Sequence, residues 1–138
     1  MIRAAQPNDA VAIAALMRQL GYDVPEAAIA GRLQRRGERR EVFVAVRGER
    51  VAGWIAVCTD EPFVEGLSAQ IEGLVVDETT RSSGIGAELL AAAEAWARER
   101  GCPFMRLQSN VVRERAHVFY RRYGYEAIKR QYHLRKSL

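Results

Sequence analysis

The sequence predicts an α/β (α+β) fold, with a mixed central sheet flanked by helices in the order β-α-α-β-β-β-α-β-α-β-β. Three observations carry this expectation. Runs rich in β-branched residues alternate with apolar repeats at helical spacing. Helical runs are closed by glycine at positions 21, 101 and 124. The chain has 138 residues, 49% hydrophobic and 28% charged, which suits one globular domain over 1–138.

The elements follow in order. Residues 2–5 read as a short strand closed by Gln6-Pro7-Asn8-Asp9. Asn8 or Asp9 can cap a helix over about 10–20, where Ile13, Leu16, Met17 and Leu20 share a face. Pro25 and Glu26 open a second helix with Ile29 and Leu33 inward, and the charged run RRGERR reads as an exposed loop. Strands over Val42–Val46 and Val51–Thr59 flank Arg47-Gly48-Glu49-Arg50, a hairpin turn. After a loop from Asp60 to Gly66, a third strand covers Ala69–Val76. A helix runs from about Gly84 to Arg100, with Ile85, Leu89, Ala93, Trp96 and Ala97 on one face. A strand near Phe104–Gln108, a helix over Arg113–Tyr123 and two short strands, Tyr125–Ile128 and Tyr132–Leu134, complete the pattern.

Composition narrows the function classes. Eight Lys/Arg and two acids lie between Arg113 and Leu138, a net +6 against +4 for the whole chain, so residues 1–112 sum to −2. A basic tail on a near-neutral body suggests a polyanionic partner, either nucleic acid or a phosphate-rich cofactor. Aromatics are not interleaved with basic residues on a strand platform, which weighs against nucleic acid. The two Cys and two His are not spaced as metal ligands, so no metal is expected; Cys58 and Cys102 read as packed free thiols. No apolar run approaches the roughly 20 residues of a membrane span. The expectation is a cytoplasmic protein without membrane or nucleic-acid partners.

The segment LVVDETTRSSGIGAELL holds the chemistry. An apolar strand end enters a polar turn, then two glycines, then an amphipathic helix. The first turn of a helix has unpaired N–H groups and a partial positive charge, both of which a phosphate satisfies. Gly84 and Gly86 let the backbone approach closely, and Arg81 adds a full charge. Alone, the pattern fits either anion binding or a plain turn. It is not a Walker loop, and Leu89 stands where a dinucleotide fingerprint has its third glycine.

Arg81, Gly84 and Gly86 match the signature [QR]-x-x-G-x-[GA], and Asn110, Ala116, Phe119, Tyr120, Gly124 and Tyr125 match a second one, N…A-x-x-F-Y-x-x-x-G-[FY]. On these residues the sequence resembles the GNAT superfamily, the Gcn5-related N-acetyltransferases, along its whole length. Within it, the last two-thirds are similar to small amine acetyltransferases, including those of aminoalkylphosphonates.

The resemblance implies acetyl-CoA as cosubstrate and an amine as acceptor. It implies that backbone groups of Leu74, Val75 and Val76 pair with the pantetheine arm. The pyrophosphate rests on Arg81, Ser82, Ser83, Gly84, Ile85, Gly86 and Ala87, with Asn110 and Phe119 on the arm and Arg113 a candidate for the 3′-phosphate. Tyr120 is implied beside the cofactor sulfur as the acid that protonates the leaving thiolate; its residue pattern alone favours a packed aromatic. The base is open. Strand alternation puts Gln70, Glu72, Leu74 and Val76 on one face. Where many relatives carry Glu, this chain has Gln70, so Glu72, a water at Gln70, or no residue can take the proton. His117 and His133 read as packing or surface residues.

Three further readings stay in view: a protein lysine or N-terminal acetyltransferase, a non-catalytic acetyl-CoA sensor, and a nucleic-acid-binding domain. Asp60, Glu61 and Glu65 can either attract a cationic amine or stand solvated. A homodimer is implied by the resemblance, since members of this family pair through sheet edges or C-terminal strands.

Overall fold

The computed structural model describes residues 1–138 except Ser82 and Asn110. The chain forms two compact units, Met1–Gln108 and Ser109–Leu138. The first holds β1 (Ile2–Ala4), α1 (Ala10–Gln19), α2 (Glu26–Gln34), β2 (Arg40–Arg47), β3 (Arg50–Asp60), β4 (Ser68–Val76), α3 (Ile85–Glu99) and β5 (Met105–Leu107). The second holds α4 (Glu114–Arg122).

The five strands form one sheet in the order β1-β2-β3-β4-β5. The first four pair antiparallel, with α1 and α2 lying between β1 and β2; β5 joins β4 in parallel through the α3 crossover. This is the predicted mixed sheet, in the predicted order as far as α4.

One face of the sheet is buried by α1 and α2. Ile13, Leu16, Ile29 and Leu33 pack with Val42, Val44, Trp54 and Val75 in one apolar cluster. On α3, Ile85, Leu89, Ala93, Trp96 and Ala97 are buried at three- and four-residue spacing, as a helix lying on a sheet requires. Gly53 lets α3 seat on the opposite face. A Cβ there would come within 2.9 Å of the Val75 carbonyl oxygen, 3.1 Å of Leu89 Cδ1 and 3.2 Å of Ile85 Cγ2.

Asp9 does not cap α1 through its side chain as predicted. Its carboxylate instead accepts from the Gln6 amide at 2.7 Å and from Arg3 at 2.8 and 3.0 Å. The Arg3 hydrogen bonds hold this buried carboxyl below the usual range.

Two further predictions are corrected. The first concerns β4. Ala56 stands opposite Gly73 but Val57 stands opposite Ile71, so Glu72 is the extra residue of a β-bulge. A bulge shifts the phase of alternation. Gly73 therefore faces Trp54, where a Cβ would meet the indole ring at 2.8 Å. Leu74 and Val76, opposite Ile55 and Gly53, turn to the α3 face, away from Gln70 and Glu72.

The second concerns the C-terminus. The expected strands at Tyr125–Ile128 and Tyr132–Leu134 do not form; residues 125–138 have no regular structure. Ile128, Tyr132 and Leu134 are 83%, 95% and 86% exposed. Their alternation is right for a strand, but a strand exists by its ladder, and these residues join none in the sheet.

Candidate functional site

The loop after β4 is built by its own side chains. Asp77 ends β4 almost buried, and its carboxylate accepts from the Thr79 amide and hydroxyl, both at 3.0 Å. The Thr79 amide bond holds the Asp77 carboxyl below its ordinary value, with the Thr79 hydroxyl, Gln19 and Arg50 adding to it. Gln19 accepts from the Glu78 amide at 3.1 Å, which ties α1 to the loop. Thr80 donates to the Asp77 carbonyl at 3.1 Å, and the Ser83 hydroxyl donates to the Thr80 carbonyl.

Gly84 then stands at the N-cap of α3 with φ +85°. A side chain is strained in that conformation, so glycine is required by the backbone. The amides of Ile85, Gly86 and Ala87 form the first turn of α3, where N–H groups lack intrahelical acceptors. Beside them opens a cleft of about 430 Å³ lined by Arg47, Thr79, Thr80, Arg81, Ser83 and Ile85. The β2–β3 hairpin supports it from below: Arg47 pairs with Glu88 of α3, and Arg50 with Asp77 at 3.2 Å. Hydroxyls, guanidiniums and free amides are the groups that suit an anion.

The strand leading into the loop has an open edge. β5 pairs with β4 only over Ala69, Gln70 and Ile71. β5 ends at this point, and Gly73–Val76 have no strand partner on the β5 side among the described residues. An extended chain can hydrogen-bond there as an added strand.

Glu72 sits just beyond the last β4–β5 pair. Arg40 donates to it twice, Nε to Oε1 at 2.6 Å and Nη2 to Oε2 at 3.0 Å. The carboxylate raises the Arg40 pKa further. Cys58, half-buried beneath them, has its thiol pushed up by burial and then by Glu72. Glu65 and Asp60 are likewise engaged, both by Arg106, at 3.6 and 2.7 Å.

In the second unit, α4 presents an aromatic cluster. Phe119 lies 5.3 Å from Tyr120 and 5.1 Å from Tyr123, and Tyr120 lies 5.6 Å from Tyr125, between ring centres. Burial pushes the Tyr120 phenol up to about 12, with Arg113 opposing. It is therefore protonated at neutral pH. His117 Nε2 lies 3.1 Å from the Ser109 hydroxyl.

Comparison with known proteins agrees with this geometry. The Acetyltransferase (GNAT) family model matches residues 10–125. An aminoglycoside N(6′)-acetyltransferase type 1 from Stenotrophomonas maltophilia is 30% identical over 142 residues, 99% of this chain and 93% of its own. The chain belongs to the GNAT acetyltransferase family. An aminoalkylphosphonate N-acetyltransferase from Salmonella typhimurium is 44% identical over 57 residues, 41% of this chain and 37% of that protein. Among solved structures, AAC(6′)-Iy in complex with the bisubstrate analogue CoA-S-monomethyl-acetylneamine shares the fold. Its TM-score is 0.88 at 20% identity, covering 100% of this chain and 98% of that one. A Trypanosoma brucei acetyltransferase gives 0.82 at 26% identity over 99% of both.

In this GNAT acetyltransferase the sequence-predicted residues of the first unit come together. Leu74, Val75 and Val76 form the open edge, and Arg81, Ser83, Gly84, Ile85, Gly86 and Ala87 form the loop and helix start that follow it. Phe119 and Tyr120 lie together on α4. Ser82 and Asn110 lie outside the described residues. Sequence reading missed Arg47, Thr79 and Thr80 in the cleft and Arg40 on Glu72, because these meet only through the tertiary fold. The arginines of the RGER hairpin were the available signal. No cluster of His, Cys, Asp and Glu fit to hold a metal occurs among the described residues. No described helix is long and apolar enough to cross a membrane.

Proposed function

We propose that the protein moves an acetyl group from acetyl-CoA to the primary amine of a small molecule, by direct transfer in a ternary complex. The observation that carries this is the continuity of the open β4 edge with the amide-lined start of α3. An extended arm ending in a pyrophosphate matches that sequence of sites.

In this reading the pyrophosphate rests on the backbone of Arg81–Ala87, with Ser82 and Ser83, and is met by the Arg81 guanidinium. The pantetheine arm pairs with Leu74, Val75 and Val76, with Asn110 and Phe119 as its side-chain contacts. The strand backbone also polarises the thioester carbonyl. The amine nitrogen attacks the carbonyl carbon, and the tetrahedral adduct collapses with loss of the C–S bond. Tyr120 gives its phenolic proton to the departing sulfur and recovers one from solvent. Both oxygens of Glu72 are already engaged by Arg40. Glu72 therefore serves as anchor for the amine N–H, and the amine proton leaves to water.

Free-thiol release from acetyl-CoA across an amine panel tests the reading. Amine-dependent release supports it. Binding of acetyl-CoA without release for any amine rejects it in favour of a sensor domain.

A further inference from the structure

The turn between β4 and α3 lies at the surface, with Glu78, Thr79, Arg81, Ser83 and Gly84 exposed. A surface turn that sets several amides in one array gives up conformational freedom to do so. Two side chains from outside the turn hold it in place. Gln19, the last residue of α1, reaches it across 58 and 59 residues of sequence. Its Oε1 accepts from the Glu78 amide at 3.1 Å, and its Nε2 donates over a longer 3.5 Å to Asp77 Oδ1. Arg50, the first residue of β3, places Nη1 3.2 Å from Asp77 Oδ2 and donates from Nη2 to the Thr79 hydroxyl at 3.4 Å.

These contacts converge on one buried carboxylate. Asp77 Oδ1 receives Gln19 together with the Thr79 amide and hydroxyl, while Oδ2 meets Arg50. The Asp77 amide donates to the Ala52 carbonyl at 2.8 Å, which fixes this hub to β3. Arg50 also offsets the charge of Asp77, which would otherwise repel an anion in the turn. Asp77 directly follows Val76, so the hub lies between the open β4 edge and the start of α3. The residue type at position 19 matters. A carboxamide accepts from an amide N–H and donates to a carboxylate at the same time. A glutamate there would repel Asp77, and a methionine would bond to neither group. Gln19 is itself exposed and lies outside the apolar cluster that Ile13, Leu16 and Met17 build beneath α1. Its contribution is therefore its bonds to the turn rather than its packing.

We infer that Gln19, acting through the Asp77 hub, is a positioning residue for the acetyl donor: it holds the turn in the array that receives the pyrophosphate, without touching the cofactor. This rests on the acetyl-transfer reading above. Gln19 lowers the conformational freedom lost on binding, so its effect falls on donor affinity and not on the chemical step.

Two measurements on the wild type, Gln19→Met and Gln19→Glu test this. The first is amide hydrogen exchange of the free protein, which needs no ligand. Both variants should exchange faster from Glu78 to Ala87, with the amides of α2 and β2 unchanged. The second is acetyl-CoA affinity, with steady-state thiol release beside it. The dissociation constant should rise ~5-fold or more in Gln19→Met and further in Gln19→Glu. At saturating acetyl-CoA, kcat and the amine KM should stay within about twofold of the wild type. Unchanged exchange in the turn overturns the inference, as does faster exchange with acetyl-CoA affinity equal to the wild type. A fall in kcat, or faster exchange throughout the fold, overturns it too, by giving Gln19 a general structural role. Acetyl-CoA bound equally by all three proteins removes this inference alone. No binding to the wild type removes the acetyl-transfer reading with it.

Discussion

Arg40 and Glu72 meet across the intervening strand β3 as a two-pronged ion pair, 2.6 and 3.0 Å long, over the half-buried Cys58. The pair exists because a bulge lifts Glu72 out of the β4 ladder just beyond the last pair with β5. This changes what Glu72 can do, since neither of its oxygens is idle. An Arg–carboxylate fork fixes direction as well as charge, which suits an anchor better than a proton acceptor.

For Glu72→Gln, the expected result is therefore a higher KM for the amine, by ~10-fold, with the acid limb of the kcat/KM pH profile retained. Disappearance of that limb in the variant would identify Glu72 as the base.

Tyr120 is predicted to act in thiol departure. Tyr120→Phe should lower kcat by about 100-fold while acetyl-CoA affinity stays within roughly twofold. With the phenol pushed up to about 12, it stays protonated throughout the neutral range. Any basic limb of the wild-type profile between about pH 8 and about pH 10 should then persist in Tyr120→Phe. Unchanged kcat in the variant removes Tyr120 from the mechanism.

Gly53 sets how closely α3 approaches the sheet, and thereby where Ile85 begins the cofactor turn. Gly53→Val should cost about 1–3 kcal/mol of stability, read from urea midpoints, because its side chain would meet the Val75 carbonyl and the Leu89 and Ile85 side chains. It should also weaken acetyl-CoA binding. Wild-type stability in Gly53→Val would mean that the packing is looser than described.

Acid stability follows from Asp9. Its folded pKa lies below the unfolded one because of the Arg3 hydrogen bonds, the Gln6 amide and the Arg3 charge. The stabilisation is thus complete above the unfolded value, near 4, and fades as pH falls through the lower folded value. Asp77 contributes with the same sign. Asp9→Asn should reduce neutral-pH stability by about 1–3 kcal/mol and flatten the loss of stability below about pH 5. An acid slope equal to that of the wild type would place the titration elsewhere.

Much of this architecture could be read from the chain before its coordinates. The apolar repeats of α1 and α3 and the hairpin at Gly48 each follow from local chemistry, and the structure contains them. The turn before α3 was legible because its parts are contiguous: strand end, Arg81, Gly84, helix start. Three things were not legible. The bulge at Glu72 arises from pairing with β3, so alternation counted along β4 alone gives Leu74 and Val76 the wrong face. Arg47 and Arg40 reach their partners across 41 and 32 residues of sequence. The last two strands had the right alternation, but residues 125–138 enter no ladder.

The central claim is that the turn from Arg81 to Ala87 holds acetyl-CoA. Calorimetric titration of acetyl-CoA into the wild type, Arg81→Ala and Gly84→Val tests it most directly. Gly84 has open space around its Cβ position but φ +85°, so valine there disturbs the turn without a clash. The prediction is one acetyl-CoA per chain in the wild type, with affinity reduced ~10-fold or more in each variant. No binding to the wild type, or equal affinity in all three proteins, would contradict it.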